Sequence, residues 1–378
     1  MLRSILALVY LARGVESICL PLLPSPSPGH PTLWGAQYSA PTIQKYKNKT
    51  DIIFGQLLAG GAKLMQLSLP WADIETTPGQ PNLVLVAELL ADVRAVGGIP
   101  LFNLAVIDTN RVSVPNDLAD PKNPGSLRSD LNWTSPEIVS RYATMLEVIV
   151  PIVAYSGGAY FGLGNEVDVN LGNGTPEMAE SFVEFLFIFR QFIQTLTAPK
   201  PLSVGATLTV GGLGAVSDSP PPWLSSLLSI ADVTPLTYYP LNPDFSVKTD
   251  TATVHEEVLR AVKLLPAGAC SVFQEFGVPA GYGNSSSTDH SSQSIQANFF
   301  QDFMLSLPPL LSNAGHPLRA ASVFELVDMA ESECLGLVPY YNVSAPAFIE
   351  YLCTLGLIKG TGEPKEAWGT VLSIVKAH

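Results

Sequence analysis

Eight short apolar runs alternate with longer, helix-like segments along this 378-residue chain. The runs are "LWGAQYS", "KLMQLSLP", "IPLFNLAVI", "AYFGLGNE", "LSVGATLTV", "DVTPLTYYP", "CSVFQEFG" and "ASVFELVD". Runs this short read as strands, and amphipathic stretches such as "LVAELLADVRAVG" and "ATVHEEVLRAVKLL" read as helices. "SPEIV" and "TPEMA" place Ser or Thr before Pro and Glu, a pairing that starts helices. Strand-helix alternation demands parallel strands covered by helices. Eight such units predict an α/β fold of the (β/α)8 TIM barrel type, a single domain over residues 33–378. An open doubly wound sheet is the alternative. Its glycine fingerprint is absent, since "GLGNEV" and "GGLGAV" both lack the third glycine in register.

Composition narrows the partners. The chain is 47% hydrophobic and 14% charged, with net charge −13, so it can bury a large core. That acidity argues against nucleic acid and against an anionic membrane surface. After the N-terminal segment no stretch reaches 18 uninterrupted apolar residues, and we expect no membrane span.

The N-terminal "MLRSILALVYLARGVES" reads as a signal peptide over residues 1–17, cut after Ser17, with a buried first element as the alternative. Residues 18–32 form a Pro/Ser-rich linker. Sequons at Asn48, Asn132, Asn173, Asn284 and Asn342 add to the expectation of a secreted, N-glycosylated protein. Of four cysteines, Cys334 and Cys353 are spaced for a disulfide, and Cys270 reads as a buried free thiol. The five histidines, His30, His255, His290, His316 and His378, are scattered. No metal site and no cofactor is expected.

In a barrel, chemistry sits at the C-terminal ends of the strands. Glu166 ends the fourth run in "GNEVD", and Glu275 ends the seventh in "FQEFG". A carboxylate in apolar sequence costs free energy unless paired, hydrogen-bonded or at work. Two carboxylates across one barrel mouth suit glycosidic-bond hydrolysis, one protonating the leaving oxygen and the other attacking or activating water.

With "TYYP" ending the sixth run, these motifs resemble the retaining glycoside hydrolases of clan A. The order extends to "WADIETTPGQ" after the second run and "GLIKGTGEPKEAW" near the end, so the resemblance spans most of the mature chain. It implies that Glu166 is the general acid/base and Glu275 the nucleophile of a retaining β-glycosidase or endo-glycanase. Asn165 would bond the sugar 2-hydroxyl, and Tyr239 would hold the nucleophile. Thr237, two residues back, would share Tyr239's face, and Tyr238 would point into the helical layer; a slip of one residue would exchange the two tyrosines. Trp71, Gln66, Phe324 and Glu325 would line the cleft and contact a carbohydrate substrate, with core or loop packing the alternative for Trp71 and a structural role the alternative for Glu325. Two positions depart from the clan: Gln66 stands near where a basic residue often supports the nucleophile, and Phe324 where a Trp often underlies the sugar.

Plainer readings stand beside these. A glutamate after an apolar run is usually structural. Asp168 reads as a loop-orienting residue, Glu75 as a loop or helix-start residue, and Asp108 as a residue bordering the cleft. Trp133, in the sequon "NWT", is expected near the surface, while Trp223 and Tyr282 suit either packing or a sugar subsite. Trp368 reads as packing. The functional alternative is a catalytically inactive, carbohydrate-binding TIM barrel. A lyase or isomerase barrel would need a Lys, His or metal at the mouth.

Overall fold

Each of the eight runs forms a strand in the computed structural model, which describes residues 32–37, 54–197, 201–282, 291–341, 343 and 345–377. They are β1 (Leu33–Gln37), β2 (Leu64–Pro70), β3 (Ile99–Ala105), β4 (Tyr160–Gly162), β5 (Ser203–Gly205 with Leu208–Thr209), β6 (Leu236–Tyr238), β7 (Ser271–Phe276) and β8 (Leu318–Val323). All pair in parallel, in chain order, and β8 pairs with β1. The sheet closes through β5: its first piece pairs with β4, its second with β6, and only Ala206 and Thr207 lie between. The expected (β/α)8 barrel is thus the observed fold. The expected signal and nearly all of the linker lie outside the described residues, as do the sequons at Asn48, Asn284 and Asn342.

Strand alternation sorts the side chains into two cores. Met65, Leu67, Phe102 and Leu104 face outward into the large cluster under the helices. Leu64, Leu101, Tyr160, Val272 and Ala320 face inward and plug the barrel's lower end. Two residues further along the same strands come Gln66, Asn103, Gln274 and Ser322, all without solvent exposure. The interior therefore changes from apolar to polar toward the mouth, where the carboxylates stand.

Helices begin where the Pro-Glu signals place them, at Pro136–Tyr155 and Pro176–Leu196. Thr175 caps the second, accepting from Met178 N. By length and composition Pro136–Tyr155 could also cross a membrane, which counting uninterrupted apolar residues did not reveal. Here it packs as a ring helix, burying Ile138, Met145 and Ile149, and its Tyr142 hydroxyl donates to Leu104 O at 2.9 Å.

Two tryptophans depart from expectation. Trp71 is fully buried in the short helix Trp71–Ile74, 5.0 Å from the Tyr142 ring, so it lines no cleft. Its indole N–H donates to Glu75 Oε2 at 2.7 Å, a bond that fixes it in the core. Trp133 is also fully buried, edge-on to Phe182, although its neighbour Asn132 is exposed. Trp368 packs in the core as expected, and Trp223 is partly buried against it. Cys334 and Cys353 form the expected disulfide. Cys270 is disulfide-bonded rather than free.

Glu75 has only 1% exposure and also accepts from Arg141, whose guanidinium reaches on to Asp117. Removing one partner of a buried ion pair strands the other charge. Arg141→Met should therefore cost about 3 kcal/mol in urea unfolding, whereas a loss under about 1 kcal/mol would mean Glu75 is satisfied without it.

Candidate active site

The ladder of β4 ends at Gly162, and Gly-Asn-Glu carries the chain over the mouth. Glu166 takes a left-handed backbone, φ 48° and ψ 43°, and caps the helix Val167–Asn173. Thr109, on the loop after β3, is left-handed too, at φ 54°. Such conformations cost a non-glycine residue on the order of 1 kcal/mol or more. Here they bring the two side chains together, Thr109 Oγ1 lying 2.7 Å from Glu166 Oε2. The other oxygen, Oε1, meets Thr237 Oγ1 at 2.6 Å.

Glu275 stands on β7 with 5% exposure. The Tyr239 hydroxyl donates to its Oε2 at 2.8 Å, and Gln66 Nε2 donates to Oε1 at 3.2 Å. Thr237 and Tyr239 thus bond the two carboxylates from one face of the β6 end. Tyr238 points the other way, its hydroxyl on Glu257 of a surrounding helix.

Gln274 ties the two halves together. Its Oε1 accepts from Thr207 Oγ1 at 2.8 Å and also from the Tyr160 hydroxyl. Two donors on one amide oxygen fix the amide's orientation, so Nε2 donates to Asn165 Oδ1 at 2.9 Å. Asn165 Nδ2 then donates to Asp108 Oδ1 at 3.2 Å, leaving its second N–H for another acceptor. Tyr340 donates to the other Asp108 oxygen at 2.9 Å. Asp108 therefore borders the site through Asn165. Asp168, expected to orient a loop, lies in the first turn of the helix Val167–Asn173 and ties that helix to the end of β5, accepting from Thr209 N and Oγ1 through both carboxylate oxygens.

Of the other expected residues, Phe324 is partly exposed and meets the Tyr239 ring edge-on, 5.8 Å between centroids. Glu325 departs from expectation. At 1% exposure it lies beneath the surface rather than in the cleft, beside Asp328 and Lys365. Burial pushes its carboxyl well above the usual range, and the negative charge of Asp328 adds to this. Tyr282 is 52% exposed and its ring belongs to neither core. Sequence reasoning missed Gln274 and Thr109, whose only signal was position: Gln274 alternates inward with Val272, and Thr109 follows Asp108.

Burial raises both site carboxyls from 4.5, Glu166 to about 7 and Glu275 to about 8, and the negative charge of Glu166 adds to the rise at Glu275. The two titrate as a pair that holds one proton near neutrality. Donor chemistry places that proton on Glu166. A phenol and an amide N–H can only donate to Glu275, which favours its anion, whereas both threonine hydroxyls can accept from a protonated Glu166.

No family model matches this chain, and no curated protein matches it. Solved structures do. An exo-β-1,4-mannosidase from Opitutaceae bacterium strain TAV5 aligns at TM-score 0.63 and 17% identity, covering 92% of this chain; the chain spans 60% of that protein's length. A GH5_18 protein from Bifidobacterium longum, solved with Manβ1-4GlcNAc, aligns at TM-score 0.66 and 13% identity, covering 92% of this chain and 78% of its own. A β-glucosidase aligns at TM-score 0.60 and 14% identity, covering 89% of each chain. The chain shares the barrel fold of these glycoside hydrolases.

The raised carboxyls set a stability profile. The folded state keeps protons that the unfolded chain releases above about pH 4.5, so stability falls as pH rises toward about 8. Glu275→Gln removes one charge of the pair. Its melting temperature should exceed that of the native protein at about pH 8, with the gain shrinking by about pH 5. A variant destabilised equally at both pH values would contradict the repulsion.

Proposed function

We propose that this protein is a secreted, retaining glycoside hydrolase acting on β-linked glycosides. The observation that carries the reading is the unequal setting of two neighbouring buried carboxyls: donors alone on Glu275, hydroxyls able to accept on Glu166. Glu275 attacks the anomeric carbon while Glu166 gives its proton to the departing oxygen, leaving a glycosyl ester on Glu275. Esterification abolishes the charge on Glu275. The repulsion that kept Glu166 protonated goes with it, so Glu166, now ionised, can take a proton from water. That water attacks the anomeric carbon, releases the sugar and restores Glu275. Two inversions give net retention. The second N–H of Asn165 suits the sugar 2-hydroxyl, and Phe324 offers an aromatic face. The fold neighbours include enzymes named for mannoside and glucoside cleavage, which supports a β-glycoside substrate.

Secretion is supported by the N-terminal apolar segment, by exposed sequon residues Asn132 and Asn173, and by disulfides at Cys334–Cys353 and Cys270. One observation favours the rival, a barrel that binds carbohydrate without turnover. Among the described residues neither Glu166 nor Glu275 has an ion pair, because Gln66 stands where a cation could hold the nucleophile ionised.

Hydrolysis of aryl β-glycosides and of soluble β-glucans, mannans and galactans separates the two. Glu166→Gln and Glu275→Gln should each lose at least ~100-fold in kcat/KM on unactivated substrates. With a dinitrophenyl leaving group, which needs no proton, Glu166→Gln should retain the first step while Glu275→Gln does not. Equal turnover in all three proteins would remove the pair from the mechanism. Sugar binding without turnover in the native protein would favour the rival.

A further inference from the structure

The segment after β8 does not lie beside its strand. Its two helices, Glu331–Tyr341 and Pro346–Cys353, are stapled by the Cys334–Cys353 disulfide. They pack on a small aromatic core of their own that includes Phe348 and Tyr351. This hairpin reaches two other loops of the mouth. On one side the Tyr340 hydroxyl donates to Asp108, the Arg111 guanidinium lies 4.5 Å over the Tyr340 ring, and Asn110 Nδ2 donates to Tyr341 O at 3.4 Å. These are contacts to the loop after β3. On the other side Phe348 meets Phe245, in the loop after β6, at 5.0 Å between centroids. Tyr351 sits edge-on to Tyr239 at 5.6 Å.

In a closed barrel, β8 and β3 are separated by β1 and β2 on one side and by four strands on the other. A hairpin rooted at β8 and touching the loops after both β3 and β6 therefore crosses the mouth. Glu166 and Glu275 lie beneath it: Tyr351 packs on Tyr239, whose hydroxyl bonds Glu275, and Thr237 beside it bonds Glu166. Burial raises the pKa of Tyr351, and the negative charges of both carboxyls add to the rise. An open groove accepts the middle of a polymer from the side. A site under a stapled strap does not, because a chain laid across it would have to pass through the hairpin.

We propose that this strap makes the site act at chain ends, taking the non-reducing terminal residue of a β-linked oligosaccharide and rejecting internal segments. The end-directed reading rests on the glycosidase reading above. The ring of Tyr239 with Phe324 and Tyr351 forms an aromatic wall beside Glu275, where the terminal sugar would sit. The leaving chain departs on the Glu166 side. Tyr340 and Arg111 are positioning residues here: they hold the strap and touch no reacting atom.

The test uses the full chain. A panel of nitrophenyl β-monoglycosides first identifies the sugar. The nitrophenyl β-trisaccharide of that sugar is then offered with its non-reducing end free or benzylidene-capped, and products are read by mass spectrometry. We expect the free trisaccharide to lose one terminal sugar at a time, and the capped one to react at least ~100-fold more slowly. The double variant Tyr340→Phe with Arg111→Ala should narrow that ratio about tenfold by loosening the strap. Capped and free trisaccharides cut internally at similar rates would overturn the proposal while leaving the glycosidase reading intact. Discrimination unchanged in the double variant would show that something other than the strap excludes capped chains, and would overturn the assignment too. Failure of every monoglycoside and trisaccharide would instead defeat the glycosidase reading, and the end-directed reading with it.

Discussion

Two carboxyls buried within reach of each other's charge are the constraint around which this barrel is arranged. Unpaired, each would be costly in a low-dielectric interior, and together they cannot both ionise cheaply. The structure resolves the conflict by inequality. Glu275 receives donors from β6 and β2, and Glu166 receives hydroxyls from β6 and the β3 loop. The inward polar layer of Gln66 and Gln274 exists to hold this arrangement, and the apolar plug beneath it keeps the layer in place.

The same inequality links stability to chemistry. Burial, with repulsion added at Glu275, raises the proton affinity of the pair, which weakens the fold as pH rises; in the proposed mechanism that same proton is the one Glu166 gives away. The left-handed backbones at Glu166 and Thr109 add strain at the point where placement matters most. Much of the barrel's stabilisation lies elsewhere, in the apolar shell between strands and helices, so the mouth can carry these costs.

The barrel was legible because its signals are local: each strand run and each Pro-Glu helix start is read from a few neighbours. Glu166 and Glu275 were legible for the same reason, as carboxylates where apolar runs end. What failed depended on distant partners. Trp71 next to a strand end looks the same whether it faces a sugar or, as here, packs on Tyr142. Glu325 also follows a strand, but it sits below the surface near Lys365, forty residues later in the chain. The role of Gln274 depends on Asn165, more than a hundred residues away, and no spacing rule joins them. The strap was legible only in its disulfide: "ESECLGLVPYY" has little amphipathic period, and its place over the mouth is set by the distant contact of Tyr340 with Asp108.

The central claim is that Glu275 forms a bond to the sugar. Incubating the native protein with fluorosugar glycosides bearing an activated leaving group, then mapping the adduct by peptide mass spectrometry, tests it directly. We expect one fluoroglycosyl group per chain, located on Glu275 and absent from Glu275→Gln. A label on another residue, or turnover with no trapped adduct and an inverted anomer as product, would contradict the account.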